Sequence, residues 1–440
     1  MEGHNESLNL FLNHPINKGV IQSRIIEHLP ITDISSGCIE FNVTSQNYID
    51  FSKSTLYLKC KVFAGNNTDV KYIPDKQHLS DEGDFGLTNC LFSSLFKKVD
   101  LSLQHHPVSN ELPNHMYAYK SYLDTILHAK SEADPSILFY KDSSKGIELN
   151  SVWSAEAGDK PNQQGNSGFQ SRFNFANRGQ DFEMESGVGL DFMKQKRLIP
   201  HNTNISLKFW QSDPQFHMMS IKKDQKFFVK ILETKLKLCH VTLSPAVNVA
   251  ISESLKLKPA QYPFSDSKIR THTVSKGSQA CIISDIFGEQ CPNELFVCMI
   301  NSDSFHGDYS KNSLAMYHNN LSEIGLYINN IALPRGPVKL NFGDSAHQST
   351  YLQAYQRLLD INPDTIISFE DFYNGYSIFY FDLRNGENSE ELLTNSHLAS
   401  TRLELRFSEA LENSIVVLLY GKFNRTLQIS SERNISISEQ

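Results

Sequence analysis

The sequence predicts an all-β protein: a double jelly roll, meaning two tandem eight-stranded Greek-key β-sandwiches, each with a short helix. Three observations predict it. The chain has 440 residues, more than the roughly 250–300 that one hydrophobic core sustains. Period-two alternation of apolar and polar residues runs through most of it. One long order of elements occurs twice.

Composition agrees with strands. The chain has 28 Phe and 17 Tyr, and aromatic side chains pack well on a pleated surface. Acidic residues outnumber basic ones, 49 to 41, which argues against a protein that wraps nucleic acid directly, since that role needs a basic excess. The amino terminus MEGHNESLNLFLNHP has no long apolar core, so no secretory signal is expected. No apolar run approaches the roughly 18–20 residues of a membrane span. The seven cysteines are scattered without a C-x-x-C pair, so buried free thiols are expected instead of a disulfide framework. Sequons at Asn42, Asn204 and Asn424 signify only an Asn-, Ser- and Thr-rich chain.

The strands follow from alternation. Val99, Leu101 and Leu103 alternate with Lys98, Asp100, Ser102 and Gln104. Leu403, Leu405 and Phe407 alternate with Arg402, Glu404 and Arg406. Similar segments are 55–63, 203–209, 228–241, 323–328 and 414–423. Helical periodicity is convincing only at 116–127, with Met116, Tyr119, Leu123 and Ile126 on one stripe, and at 345–359, with Leu352, Tyr355 and Leu359.

These helices expose the repeat. The first half reads KKVDLSLQ, a proline-bearing turn, the helix YAYKSYLDTI, GLDFM, NISLKFWQ and KFFVKILETKLKL. The second reads LSEIGLYIN, a turn with Pro334 and Pro337, the helix YLQAYQRLLDI, YFDLRN, TRLELRFSE and SIVVLLYGKFNRTL. Shared order of strand, turn, lone helix and further strands signals duplication. The first copy is longer by a surface loop at about 130–180, which includes AEAGDKPNQQGNSG. The expected division is an N-terminal arm at 1–36, a first jelly roll at 37–245, a linker at 246–262 around Pro259, and a second jelly roll at 263–440 with a short C-terminal tail.

Candidate chemistry is sparse. His105, His106, Glu111 and His115 are metal-ligand types, yet adjacent histidines on a strand point to opposite faces, and polar turn residues are the expected reading. Cys281, Cys291 and Cys298 lack the close pairs of structural zinc sites. Gly165-Asn166-Ser167-Gly168 lacks the spacing of a hydrolase elbow. Asp84-Phe85-Gly86 and Gly187-Val188-Gly189 stand without their companion motifs. Lys226, Lys230, Lys235 and Lys237, and the group Lys268, Arg270 and Lys276, are read as solvated strand faces or subunit contacts, not as a nucleic-acid groove. No catalytic, cofactor-binding or metal-ligating residue is expected, and the chain is not expected to be an enzyme.

Ordered pieces then carry a family resemblance. They are YIDFSKSTLYLKCKV, TNCLFSSLFKKVDLSLQHHPVS, YAYKSYLDTIL, FYKD at 139–142, SRF at 171–173, GLDFMKQKRLIPHNTNISLKFWQSDPQFHMM, AQYPF, and DIFGEQCPNELFVCMINSDSFHGDYSKN. Together, from about Gly37 to Asn434, they resemble the double jelly-roll major capsid proteins of Polinton (Maverick) elements and their adintovirus relatives, within the hexon-like lineage. The resemblance implies a homotrimeric capsomer of pseudo-hexagonal outline, tiling an icosahedral shell around double-stranded DNA. It implies neighbouring capsomers, a penton (minor capsid) protein and cement proteins as partners. Residence in the virion follows, with assembly in the host nucleus or cytoplasm, no sequence-specific DNA binding, no membrane span and no cofactor. Long tower loops of the adenovirus kind are missing here. A lectin-like carbohydrate-binding jelly roll and a metal-dependent jelly-roll enzyme using His105, His106 or His115 are the alternatives.

Overall fold

A computed structural model describes residues 19–64, 68–69, 85–108, 112–113, 115–143, 166–176, 179–220, 226–343, 345–384 and 399–439. In the first half the main strands are β1 (Val20–His28), β2 (Cys38–Thr44), β3 (Tyr48–Ala64), β4 (Phe96–Leu103) and β5 (His106–Pro107). They continue as β6 (Phe182–Ser186), β7 (Asn204–Gln211) and β8 (Phe227–Leu243). The second half holds β9 (Ala260–Val274), β10 (Ala280–Ser284), β11 (Glu294–Asn301) and β12 (Leu321–Ile328). Then follow β13 (Ile331–Lys339), β14 (Ile378–Asp382), β15 (Thr401–Phe407) and β16 (Ile415–Ile429). The helices used below are α1 (Met116–His128), α2 (Ser167–Ala176), α3 (Pro214–His217), α4 (Pro245–Leu257), α5 (Ser302–His306) and α6 (Leu352–Ile361).

Sheet order makes the duplication explicit. The first half pairs β1-β8-β3-β6 in one sheet and β2-β7-β4-β5 in the other. The second pairs β9-β16-β11-β14 and β10-β15-β12-β13, which is the same order with every strand number raised by eight. Neighbours in all four ladders are antiparallel. This is the double jelly roll that the alternation predicts.

Each sandwich closes because its strands are half apolar. On β15, Leu403, Leu405 and Phe407 are buried while Arg402, Glu404 and Arg406 stay at least partly exposed. On β7, Ile205, Leu207 and Phe209 are buried, and the Phe209 ring meets Phe41 of β2 edge-on and Phe96 of β4 at a tilt. Burying one such Leu or Phe stabilises the fold by about 2 kcal/mol. A one-residue slip would turn the whole row to solvent, so register is fixed by the pattern itself.

Several expectations are corrected. Residues 20–28, read within an N-terminal arm, form the edge strand β1 paired to β8; its Ile21 and Ile25 face solvent, so no alternation marked it. The connector read at 246–262 is mostly helix α4, with Pro245 in its first turn, a position where the missing N–H costs nothing. Within the loop read at 130–180, residues 144–165 lie outside the described residues, and 167–176 are helix α2. The segment GLDFM is not the counterpart of YFDLRN: Asp191–Lys194 is a 3-10 turn, and the strand that matches β14 by sheet position is β6, sequence FEMES. Pro334 and Pro337 sit in β13, an edge strand with a pairing irregularity, where proline is tolerated. Among the described residues, no helix is long and apolar enough to cross a membrane.

Candidate functional site at the seam between the two sandwiches

Helix α1 is where the halves meet. Its Met116, Tyr119, Tyr122, Leu123, Ile126 and Leu127 belong to the core of the second sandwich, although α1 follows β5 of the first. In return Tyr262 and Phe264 of β9, Leu427 and Ile429 of β16, and Ile435 join the core of the first. The two cores therefore interlock, and the seam has the character of a domain interior.

Polar groups fix this seam at one point. Lys120 and Asp124 stand one turn apart on α1, which puts them on one face. Lys120 Nζ, with its side chain 2 % exposed, lies 3.0 Å from Asp124 Oδ2 and 2.8 Å from Asp191 Oδ1. It also donates to the Gly189 carbonyl at 2.8 Å. Lys194 Nζ adds a second cation 2.8 Å from Asp124 Oδ2. From the other sandwich, the Tyr420 hydroxyl donates to Asp124 Oδ1 at 2.8 Å, and the Ser267 N–H donates to Asp191 Oδ2 at 3.0 Å. Ser267 Oγ and the Tyr420 hydroxyl are 3.1 Å apart and close the ring.

The charges compensate one another. Burial alone would raise the Asp124 pKa, but Lys120 and Lys194 reverse this and hold it well below the carboxylate range. Burial would lower that of Lys120, and Asp124 and Asp191 reverse it, keeping the ammonium charged. Burial, then the Asp124 charge, pushes Tyr420 far up, so it remains a donor. An unpaired buried ammonium costs several kcal/mol; three acceptors remove that penalty here.

A second cluster pins α2. Arg172 is fully buried; it donates to the carbonyls of Leu87 and Tyr140 at 2.9 and 2.6 Å and to Asp142 Oδ1 at 2.6 Å. Across the seam, the Tyr376 hydroxyl donates to the Asp142 carbonyl at 2.9 Å, and Lys141 pairs with Asp371 at 2.6 Å. Tyr119 donates to the Ser313 carbonyl at 2.8 Å and stacks on Phe305.

Among the described residues, those weighed earlier for chemistry do not gather at one site. His105 has φ 66 and lies in the turn between β4 and β5; His106 pairs with Leu103 and is exposed. His115 precedes α1 and stacks on Phe216. Glu111 lies outside the described residues, as do Asp84 and Gly165. Phe85 and Gly86 belong to a short strand paired with 218–220. The Val188 and Gly189 carbonyls accept from Tyr117 and Lys120, and Asn166 donates to Asp142. All seven cysteines are free, and all but Cys38 are buried; burial pushes the Cys90 thiol up to about 12. Among the described residues, no three His, Cys, Asp or Glu side chains gather as a metal site. Lys235 pairs with Glu27 and Glu233, Lys237 with Glu185, and Lys230 and Lys268 lie over the rings of Phe63 and Phe423. These four lysines are engaged on their own sheets.

Sequence reasoning missed Lys120, Asp124, Asp191 and Tyr420. The Lys-x-x-x-Asp spacing within an apolar helix was the available signal. Nothing local to Asp191 or Tyr420 announces a partner so distant in sequence.

This arrangement can hold two sandwiches in one register. No protein-family model matches the chain, and no curated protein matches it in sequence. Solved structures do match in fold. The chain is similar over its full length to a chain of the Sputnik virophage, covering 93 % of that chain with a TM-score of 0.63 at 12 % identity. It is similar to the mavirus major capsid protein, with 98 % of this chain and 93 % of that one covered, a TM-score of 0.52 and 10 % identity. It is also similar to the Faustovirus major capsid protein, with 97 % and 94 % covered, a TM-score of 0.53 and 9 % identity. The double jelly-roll fold is thereby established from end to end. The mavirus and Faustovirus proteins are major capsid proteins.

Proposed function

We propose that this chain is a major capsid protein of the Polinton and adintovirus type, working as a homotrimer. The observation that carries the reading is the interlocked pair of equivalent sandwiches. Three copies of a two-lobed chain give a six-lobed tile, and a tile needs its lobes locked together. The full-length likeness in fold to viral capsid proteins supports it. So does the run of exposed apolar residues Ile21, Ile25, Leu29 and Ile31, each more than 60 % accessible, which an assembled interface would cover. In this reading capsomers tile an icosahedral shell around double-stranded DNA in the virion, with penton and cement proteins completing it.

Light scattering coupled to gel filtration, with negative-stain imaging, tests the proposal. A stable trimer with a hexagonal outline is expected, with an obligate interface of more than about 2,000 Å². A strict monomer across the micromolar range would overturn it. Iron or zinc in stoichiometric amount would point to the metal-dependent alternative, and glycan binding by a monomer to the lectin-like one.

A further inference from the structure

A histidine cluster lies at the far end of the seam. Short helix α3 is wedged there between the two sandwiches. On one side the Thr88 N–H donates to the His217 carbonyl at 3.0 Å, and the Thr88 hydroxyl donates to the Phe216 carbonyl at 3.2 Å. On the other, Gly307 just after α5 sits so close to Gln215 that a Cβ would lie 3.2 Å from its carbonyl carbon. Beside α3, the Ser220 N–H donates to the Tyr309 carbonyl at 2.7 Å.

Within this wedge the His217 side chain has no hydrogen-bond partner on either ring nitrogen, and the residue is 3 % exposed. His115 Nδ1 is likewise buried and unpartnered, and its ring stacks 4.4 Å from that of Phe216. Phe216 in turn meets Tyr119, which stacks on Phe305 of α5. An imidazole in this position is favoured while neutral, because an imidazolium would bury a charge.

Among the described residues, the charged and titratable groups facing the two imidazoles are few. His115 repels His217, and the Asp213 main chain pulls weakly the other way. His115 itself faces Asp213, Lys97 of β4 and His306 of α5. Asp303 of α5 is paired with Lys311 at 2.7 Å. The helix Leu91–Ser94, the strand Met218–Ser220 and Phe227 at the start of β8 contribute no titratable side chain; Cys90, capping the first of these, stays a thiol.

We propose that His217 and His115 form an acid-sensitive latch between the two sandwiches: neutral imidazoles let α3 seat against α5, and a proton on His217 parts them. Burial pushes His217 down to about 3 when closed, whereas a solvated imidazole titrates near about 6.5. The open form thus binds the proton better. Closure is complete above about pH 6.5, and the opening constant rises towards tenfold for each unit of pH lost below it. The latch concerns the single chain and stands apart from the assembly reading.

Hydrogen exchange on the full-length protein tests it, with rates corrected for their intrinsic pH dependence. Protection at the Thr88 and Ser220 amides should fall at least about tenfold between pH 6.5 and 4.5, while Leu58 and Leu405 in central strands keep theirs. His217→Leu should abolish the fall. Unchanged seam protection in the native protein, or a parallel fall in His217→Leu, would overturn the latch. Should that variant fail to fold, His217→Gln, which carries no titrating group, must keep the seam protection flat across the same window; a fall as large as the native one would be equally fatal.

Discussion

Tyr420 and Asp124 are 296 residues apart in sequence and joined by a 2.8 Å hydrogen bond. The bond runs from the last long strand of the second sandwich to the helix of the first. Tyr420→Phe leaves one oxygen of a buried carboxylate without its donor, so stability should drop by about 2 kcal/mol. The urea midpoint should fall with an unchanged slope. Asp124→Asn should cost more, about 3 kcal/mol, because Lys120 then keeps only one carboxylate. An unaltered midpoint in Tyr420→Phe would remove the seam role assigned to this bond.

Gly86 and Gly168 tolerate no side chain. A Cβ on Gly86 would lie 1.9 Å from the Phe169 ring, and one on Gly168 would lie 2.2 Å from the Lys141 carbonyl oxygen. Each Ala substitution should destabilise by about 2 kcal/mol. Phe169→Leu should partly rescue Gly86→Ala and should not rescue Gly168→Ala, where the obstacle is main chain. Thermal melts of the single and double variants check this.

His318 predicts a pH response inside the second sandwich. Its ring stacks on Phe342 at 4.0 Å, its Nδ1 accepts from the Asn320 N–H, and burial pushes its pKa down to about 4. A depressed histidine favours folding above its unfolded value of about 6.5. That contribution is lost as pH falls towards about 4. His318→Phe should flatten the stability profile across this window. A profile as steep as that of the native protein would show that other groups set it.

The interlocked cores predict that neither half folds alone. Residues 1–258, expressed without the rest, leave Tyr119, Leu123 and Ile126 of α1 uncovered, and should give aggregates or a species that binds hydrophobic dyes. Co-expression with 259–440 should recover soluble material. The intact chain should unfold in one cooperative transition by calorimetry; two separated transitions would contradict the shared core.

Most strands were legible because their burial is one-sided. Leu403, Leu405 and Phe407 against Arg402, Glu404 and Arg406 is a pattern that a half-buried strand alone explains. Strand β1 was not, since an edge strand with Ile21 and Ile25 in solvent has no inner face to advertise. Helix α4 buries little beyond Leu255, so no apolar stripe accompanies the proline that starts it. Helix α2 turns a buried arginine inward, and polar composition disguised it as loop. The seam was the least legible part: Lys120 and Asp124 share a helix, but their partners Asp191 and Tyr420 are brought in by tertiary packing alone.

The exchange of core residues also sets an order in time. Leu427, Ile429 and Ile435 complete the core of the first sandwich, and they are synthesised after the whole of that half. A chain made from its amino end must carry α1 and part of its first core uncovered until the second half has been made. Folding of the first half therefore waits for the second, and any nascent-chain helper for this protein has its work on the first half.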